Sequence, residues 1–191
     1  MGKLIASAFV SLDGVMEAPG GEPGYRNAGW TIKDIEFLPD AYELKGREQG
    51  EATAMMMGRV SYEAFSTVWP SMTDDFAHYN AMPKFVVSTT LDDSSLVANW
   101  GKQQILRSLD EVAVIKDVHE GNILVHGSAT LNRNLADAGL IDRYNLLVFP
   151  VLLGSGKRLF SQTDKDKQML KVVEAESYSN GIQKIVYDVI R

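Results

Sequence analysis

Short apolar runs alternate with segments of helical periodicity along most of the chain. The apolar runs have the length of buried strands, and we assign strands to residues 3–11, 52–57, 84–88, 122–126 and 142–154. The intervening segments place apolar side chains three or four residues apart, and we assign helices to residues 34–50, 61–69, 74–82, 108–118 and 128–139. Strands that alternate with helices predict a mostly parallel sheet covered by helices on both faces.

Local signals mark the ends of several elements. Asp34 is in position to cap the first helix, and Ser108 with Glu111 forms a capping box at the fourth. The C-terminal tail consists of two alternating runs around Asn180-Gly181, a dipeptide typical of tight hairpins. The tail therefore predicts antiparallel strands at one edge of the sheet. Residues 1–191 contain no linker or internal repeat, which indicates a single α/β domain.

Residues 18–29, APGGEPGYRNAG, are dense in glycine and proline. The stretch is too long for a simple turn, and two interpretations remain open: a functional lid or a disordered connector.

Composition and charge narrow the classes of partner. The chain has 191 residues, a net charge of −6, a pI of about 5.1 and no cysteine. This acidic balance argues against nucleic acid or an anionic membrane as a partner. Disulfides, thiolate metal sites and cysteine nucleophiles are excluded. The N-terminal apolar run is too short for a signal peptide, and no run approaches the ~18 residues of a membrane helix, so we expect a cytoplasmic protein.

Polar residues follow four of the predicted strands, at the edge where α/β sheets bind ligands. The four places are Ser11–Gly14, Gly58–Ser61, Ser88–Thr90 and His126–Thr130. Gly58 allows close approach of the backbone, and the amides after it begin a helix, where the dipole favours phosphate. Arg59 adds donors suited to phosphate. A plain turn with a solvated arginine remains the alternative.

A second corner of this kind, HGSAT, follows the strand at 122–126, and the hydroxyls of Ser88, Thr89 and Thr90 end another strand. Together the three corners suit a dinucleotide, which has two phosphates and two riboses to hold. His126 is open to two interpretations, substrate contact or a structural hydrogen bond. The histidines at 78, 119 and 126 have no metal-ligand spacing, so we expect no metal site.

Five motifs resemble those of one known family. The segments are VSLDG (10–14), MGRVSYE (57–63), KFVVSTT (84–90), ILVHGSATLNRNL (123–135) and FPVLLGSGKRLF (149–160). They resemble the dihydrofolate-reductase-like proteins that share the RibD C-terminal reductase domain. The resemblance implies a dihydrofolate-reductase-like three-layer sandwich, NADPH bound across the strand ends, and a homodimer.

The resemblance also implies roles for individual residues. The first group holds the pyrophosphate: Gly58, Arg59, Val60 and Ser61. The second lies near the adenosine ribose and its 2′-phosphate: Ser88, Thr89 and Thr90. The third forms the second glycine-rich corner: Gly127, Ser128, Ala129 and Thr130. The fourth lies near the nicotinamide, under a lid formed by residues 18–29: Ser7, Ala8, and the segment that begins with Asp13 and Gly14. Ser7 and His126 differ from the Lys and Glu of riboflavin-pathway reductases.

The expected function is NADPH-dependent reduction of a small pterin- or pyrimidine-like heterocycle, an oxidoreductase reaction on CH–OH or CH–NH type groups. Water, Asp34, Glu36 and His126 are the candidate proton donors. Two alternatives stay open: a nucleotide-binding protein that has lost activity, and a structural homodimer without a ligand.

Overall fold

The computed structural model describes residues 2–74, 76–160 and 167–191. Its strands are β1 (Leu4–Ser11), β2 (Ala52–Gly58), β3 (Lys84–Val87), β4 (Gln103–Leu106), β5 (Asn122–His126), β6 (Arg143–Phe149), β7 (Leu170–Ser177) and β8 (Gln183–Val189). They form one eight-stranded sheet in the order β4-β3-β2-β5-β1-β6-β8-β7. The strands from β4 to β6 in this order are parallel, and β8 and β7 are antiparallel additions. The predicted sheet and its C-terminal hairpin are confirmed.

The helices of the described residues are α1 (Glu43–Glu51), α2 (Arg59–Ser66), α3 (Ala77–Ala81), α4 (Leu109–Val118) and α5 (Ala129–Asp137), with 3-10 turns at Pro39–Tyr42, Trp69–Ser71 and Asp93–Ser95. The prediction of a helix over residues 34–50 is wrong in its first part. Pro39 disfavours helical geometry at the residue before it, and Leu38 is extended, with φ −123° and ψ 109°. Asp34 therefore caps no helix. In α4, Ser108 Oγ accepts a hydrogen bond from the Glu111 amide at 3.2 Å, as predicted.

Alternation along β1 assigns the two faces of the sheet. The even-numbered residues 4–10 pack in the core that α4 and α5 cover. The odd-numbered residues face the other layer, where Ile5 joins the core under α2 and α3 and Phe9 packs with the core under α1. Ser7 lies between these two apolar residues, so it places a hydroxyl inside the layer. Within the described part of the chain, no helix is both long and apolar enough to cross a membrane.

Residues 18–29 form a loop whose ends meet. The Gly29 amide donates to the Ala18 carbonyl at 2.9 Å. Trp30, only 2% exposed, anchors the end of the loop by donating from Nε1 to the Glu17 carbonyl at 2.8 Å. The Tyr25 hydroxyl donates to the Ser155 carbonyl at 2.6 Å. The segment is therefore a closed surface loop, which disagrees with the interpretation as a disordered connector.

Candidate functional site

Two helices begin side by side at the carboxyl edge of the sheet. α2 follows β2 at Gly58, and α5 follows the neighbouring strand β5 after Gly127 and Ser128. Ser128 Oγ joins the two corners, since it accepts from the Gly58 amide at 2.9 Å and donates to Ser61 Oγ at 2.8 Å. The two corners inferred from the sequence thus form one continuous surface, which we call the double corner (residues 58–61 and 127–130).

Backbone geometry at the double corner is unusual. Gly127 and Ser128 both have positive φ, +61° and +64°. A non-glycine residue in this region stores strain of about 1–3 kcal/mol, and such strain is concentrated at functional sites. The Ser128 hydroxyl does not cap α5, and no side chain caps α2. The amides of both first turns, including those of Ala129 and Thr130, have no partner within their own helix and are suited to an anion.

Arg59 has a partner at the surface. Its guanidinium forms an ion pair with Glu63, one helical turn later, at 2.8 Å. An exposed pair at this spacing contributes only about 0.3–0.5 kcal/mol. Arg59 can therefore exchange Glu63 for a stronger anionic partner, whereas Val60 offers only its backbone amide.

The end of β3 is organised around Ser88. Its buried hydroxyl accepts from the amides of Thr90 at 3.2 Å and Leu91 at 2.9 Å, so it closes a turn, while Thr89 and Thr90 are exposed. Arg107, which the sequence did not single out, donates to the carbonyls of Ser88 at 3.0 Å and Leu91 at 2.6 Å. Both bonds come from Nη1. Its other guanidinium nitrogens have no acceptor among the residues that the structure describes, so a fixed cation lies next to the two threonines.

Asp13 holds two loops of the carboxyl edge together. Its carboxylate accepts from the amides of Leu153 at 3.1 Å and Gly154 at 2.8 Å and from Ser11 Oγ at 2.6 Å. These bonds, foremost the one from Ser11, lower the pKa of Asp13 to about 2. Gly14, with φ +82°, makes the turn that follows. Asp13 therefore shapes the edge and has little capacity left for a further partner.

A row of polar residues crosses the middle of the sheet on the α1 side. Ser7 of β1 is the register partner of His126 on β5 and of Asn145 on β6. Lys45 and Glu48, one turn apart on α1, complete the group. We call these five residues the polar cluster. Ala8, the neighbour of Ser7, packs in the core of the opposite face.

Glu48 is the centre of the polar cluster. Its Oε1 accepts from Ser7 Oγ, and its Oε2 accepts from Asn145 Nδ2 at 3.0 Å. Lys45 Nζ donates to Ser7 Oγ at 2.7 Å and lies 3.2 Å from Glu48 Oε1. Burial lowers the pKa of Lys45, and the charge of Glu48 opposes that shift. Lys45 therefore places an ammonium group directly beside the Ser7 hydroxyl.

Two buried polar atoms of the cluster lack partners among the described residues: Asn145 Oδ1 and His126 Nδ1. The His126 ring lies edge-on to Phe65, Trp69 and Tyr79, with centroid distances of 5.5, 5.1 and 5.9 Å. Burial among these rings lowers the pKa of His126 to about 4, so the imidazole is neutral at pH 7. Buried polar atoms without partners are rare in native proteins, so these two atoms make the cluster a candidate site.

The structure brings together only some of the candidate catalytic residues. Asp34 and Glu36 are exposed, and neither carboxylate forms a hydrogen bond or ion pair with a described residue. His126 belongs to the polar cluster, whereas Lys45, Glu48 and Asn145 were not inferred from the sequence. A signal existed for Asn145, because it interrupts the apolar strand RYNLLVF. In the described ranges, no group of His, Asp and Glu side chains has the arrangement of a metal site.

Comparisons with known proteins agree with this architecture. Residues 2–184 match the family model described as the RibD C-terminal domain. The chain is 28% identical to the protein YyaP of Bacillus subtilis (strain 168) over 196 residues, which cover 97% of this chain and 94% of that protein.

Solved structures give the same result for the fold. A putative riboflavin biosynthesis protein from Shewanella sp. PV-4 superposes with a TM-score of 0.75 at 19% identity, covering 99% of each chain. Dihydrofolate reductase from Enterococcus faecalis, solved with NADP(H) and RAB-propyl, superposes with a TM-score of 0.59 at 16% identity, covering 99% of this chain and 97% of that one. The dihydrofolate-reductase-like fold implied by the five motifs is confirmed.

Proposed function

Because the chain belongs to the RibD C-terminal domain family, we propose that it is a reductase that uses NADPH to reduce a small pterin- or pyrimidine-like heterocycle. The observation that carries the proposal is the continuity of two sites along the backbone. His126 contributes to the polar cluster, and the next two residues, Gly127 and Ser128, form part of the double corner. The double corner and the polar cluster are thus adjacent, and this adjacency supports a reductase with a dinucleotide cofactor.

The double corner fits the pyrophosphate of NADPH. Two uncapped helix N-termini, held together by the Ser128 hydroxyl, direct amides and positive dipole ends to one place. Arg59 stands at the start of α2, where its guanidinium forms an exposed ion pair with Glu63. The dihydrofolate reductase solved with NADP(H) has the same fold, which supports the assignment.

Arg107 fits the 2′-phosphate that distinguishes NADPH from NADH. Two backbone hydrogen bonds fix its guanidinium beside the exposed Thr89 and Thr90. A planar cation with free donors suits a phosphate monoester. The Ser88 hydroxyl contributes by closing the turn that carries the two threonines.

The polar cluster fits the ring of the substrate. When bound, NADPH supplies a hydride to an electrophilic carbon of that ring. The protein orients the ring through the hydrogen-bonding groups of the cluster and keeps water away through the aromatic side chains around His126. Residues 18–29 form the lid in this proposal, and Trp30 fixes the lid at its C-terminal end.

Titration of the protein with NADPH tests the cofactor, and NADPH oxidation with a panel of pterins and pyrimidinones tests the reaction. We expect saturable binding and turnover with at least one class of ring. Absence of binding at millimolar NADPH refutes the proposal. Binding without turnover on any ring identifies instead a nucleotide-binding protein that has lost activity.

A further inference from the structure

Asn132 is a buried polar residue within an otherwise apolar face of α5. It is only 1% exposed, and the neighbouring Leu131 and Leu135 belong to the core that α4 and α5 cover. Burial of a polar side chain is costly unless that side chain is hydrogen-bonded. Because an apolar residue would serve packing better at this position, the amide of Asn132 points to another role.

The amide of Asn132 holds the backbone of the double corner. Its Nδ2 donates to the Gly127 carbonyl at 2.5 Å and to the Ser128 carbonyl at 3.4 Å. Because a carbonyl can only accept, the nitrogen of the amide must face Gly127. The other amide atom, Oδ1, has no partner among the described residues. The donor is thus the part of the side chain that the fold uses.

The hydrogen bond from Asn132 supports an unusual stretch of backbone. Gly127 and Ser128 have φ of +61° and +64°, and α5 begins directly after them at Ala129. Alternation of left-handed and right-handed backbone turns successive amides toward one concave point, a conformation that binds anions and is called a nest. The amides of Ser128, Ala129 and Thr130 have no acceptor within the described ranges. These three amides form a nest of this kind.

The same hydrogen bond acts directly on one N–H group of the nest. The Gly127 carbonyl and the Ser128 amide belong to a single peptide group. A donor at the carbonyl oxygen polarises this peptide and makes its N–H a stronger donor, since linked hydrogen bonds strengthen one another. Asn132 therefore affects both the direction and the strength of the Ser128 N–H.

We propose that Asn132 is a positioning residue for anion binding, because its amide fixes and polarises the peptide between Gly127 and Ser128 and so prepares the nest for the pyrophosphate of the cofactor. This inference rests on the proposed NADPH site and adds to it a residue that acts from the buried side of α5. The hydroxyl of Ser128 aligns the two corners with each other, whereas Asn132 shapes one of them from within.

Titration of the wild-type protein with inorganic pyrophosphate tests the inference without a variant. We expect the three backbone amides of the nest to shift in proton–nitrogen NMR spectra. The side-chain proton of Asn132 that faces Gly127 should move downfield, because its hydrogen bond strengthens when the Ser128 N–H binds an anion. The side-chain amide of the exposed Asn134 should not move. Backbone shifts without a shift at Asn132, or no shift at all at millimolar pyrophosphate, overturn the inference.

A variant then assigns the effect to the donor. Asn132→Leu removes the donor without adding a charge. We expect about tenfold weaker binding of NADPH, whereas binding of 2′-AMP, which has no pyrophosphate, should stay within about twofold of the wild type. Asn134→Leu, the same exchange on the exposed face of the same helix, is the matched control and should bind both ligands like the wild type.

Two results with the variant contradict the proposal. Unchanged NADPH affinity in a folded Asn132→Leu overturns the role of Asn132. An equal loss for NADPH and 2′-AMP shows that the side chain only maintains the fold, and it overturns the inference as well. Urea unfolding of the same samples establishes that the variants are folded.

Pyrophosphate and NADPH together separate this inference from the reductase proposal. A downfield shift at Asn132 with pyrophosphate, without any binding of NADPH, refutes the reductase function and leaves the role of Asn132 standing. NADPH binding and turnover that do not change in Asn132→Leu refute the role of Asn132 and leave the reductase function standing.

Discussion

The hydroxyl of Ser128 donates a hydrogen bond to the hydroxyl of Ser61 across 2.8 Å, although 67 positions separate the two residues in sequence. The same oxygen accepts a hydrogen bond from the amide of Gly58. One side chain therefore fixes the first turn of α2 beside the first turn of α5. The relative position of the two corners depends on this hydroxyl.

Ser128→Ala should weaken NADPH binding about tenfold, because the two helix ends lose the group that aligns them. Ser108→Ala is the matched control, since Ser108 also precedes a helix and caps α4 away from the double corner. We expect the control to lose about 1 kcal/mol of stability and to keep its NADPH affinity. Calorimetric titration and urea unfolding measure the two effects. Unchanged affinity in Ser128→Ala contradicts the assignment of the double corner to phosphate.

Arg107→Met should reduce the preference for NADPH over NADH. The variant loses a fixed cation beside Thr89 and Thr90, so affinity for NADPH should fall by about tenfold or more while affinity for NADH stays within about twofold. NADH is the internal control, because it differs only by the 2′-phosphate. A parallel loss for both cofactors indicates that Arg107 holds only the Ser88 turn.

His126 should make stability depend on pH between about 4 and 6.5. Its pKa falls from the ordinary 6.5 to about 4 in the folded protein, so in this range the unfolded chain binds more protons. Stability should therefore decrease as the pH is lowered from 7 to 4, by up to about 3 kcal/mol. Urea unfolding at several pH values measures this slope.

His126→Gln, which does not titrate, should flatten the pH dependence in that range. Asp13 and Asp188 do not interfere, because both have a folded pKa of about 2 and lose their contribution only below about pH 4. Hydrogen bonds with Arg47 and Lys184 lower the pKa of Glu174 and of Glu176 below the ordinary 4.5, so the slopes of the two proteins are compared above about pH 5. An unchanged slope in His126→Gln argues against a buried neutral imidazole.

Lys84→Met should destabilise the fold by about 3 kcal/mol or more. Lys84 is fully buried and donates to three carbonyls at the C-terminal end of α3, those of Tyr79 at 2.7 Å, Asn80 at 3.1 Å and Met82 at 2.9 Å. Methionine leaves these carbonyls without partners in an apolar environment. The exposed Lys171→Met should change stability by less than about 0.5 kcal/mol. Similar unfolding midpoints for the two variants contradict this role.

The order of strands and helices was predictable because apolar length and spacing are local properties. The run of 52–57 ends at a glycine that begins a helix, and the Asn180-Gly181 turn defines the last hairpin. β4 was missed because its sequence, QQIL, is half polar and only four residues long. The start of α1 was misplaced because Asp34 has the character of a helix cap, whereas Pro39 keeps Leu38 extended and α1 begins only at Glu43.

The candidate site was predictable only in part. The double corner carries a local signal, glycine and hydroxyl residues at the start of a helix. The polar cluster carries only a partial signal: Asn145 interrupts an apolar strand, but its contact with Glu48, 97 positions away on α1, depends on the fold. Arg107 follows a strand without glycine, and its importance depends on the course of a loop 16 to 19 residues away. Groups that converge through topology cannot be found from spacing.

The hydrogen bond from the Gly29 amide to the Ala18 carbonyl closes the loop between these residues at its base. Because both ends of the loop are fixed at one point, its interior can be lengthened, shortened or replaced without displacing Trp30 or the strands. Under the proposed function, exchange of these few surface residues alters the lid over the ring and leaves the double corner unchanged.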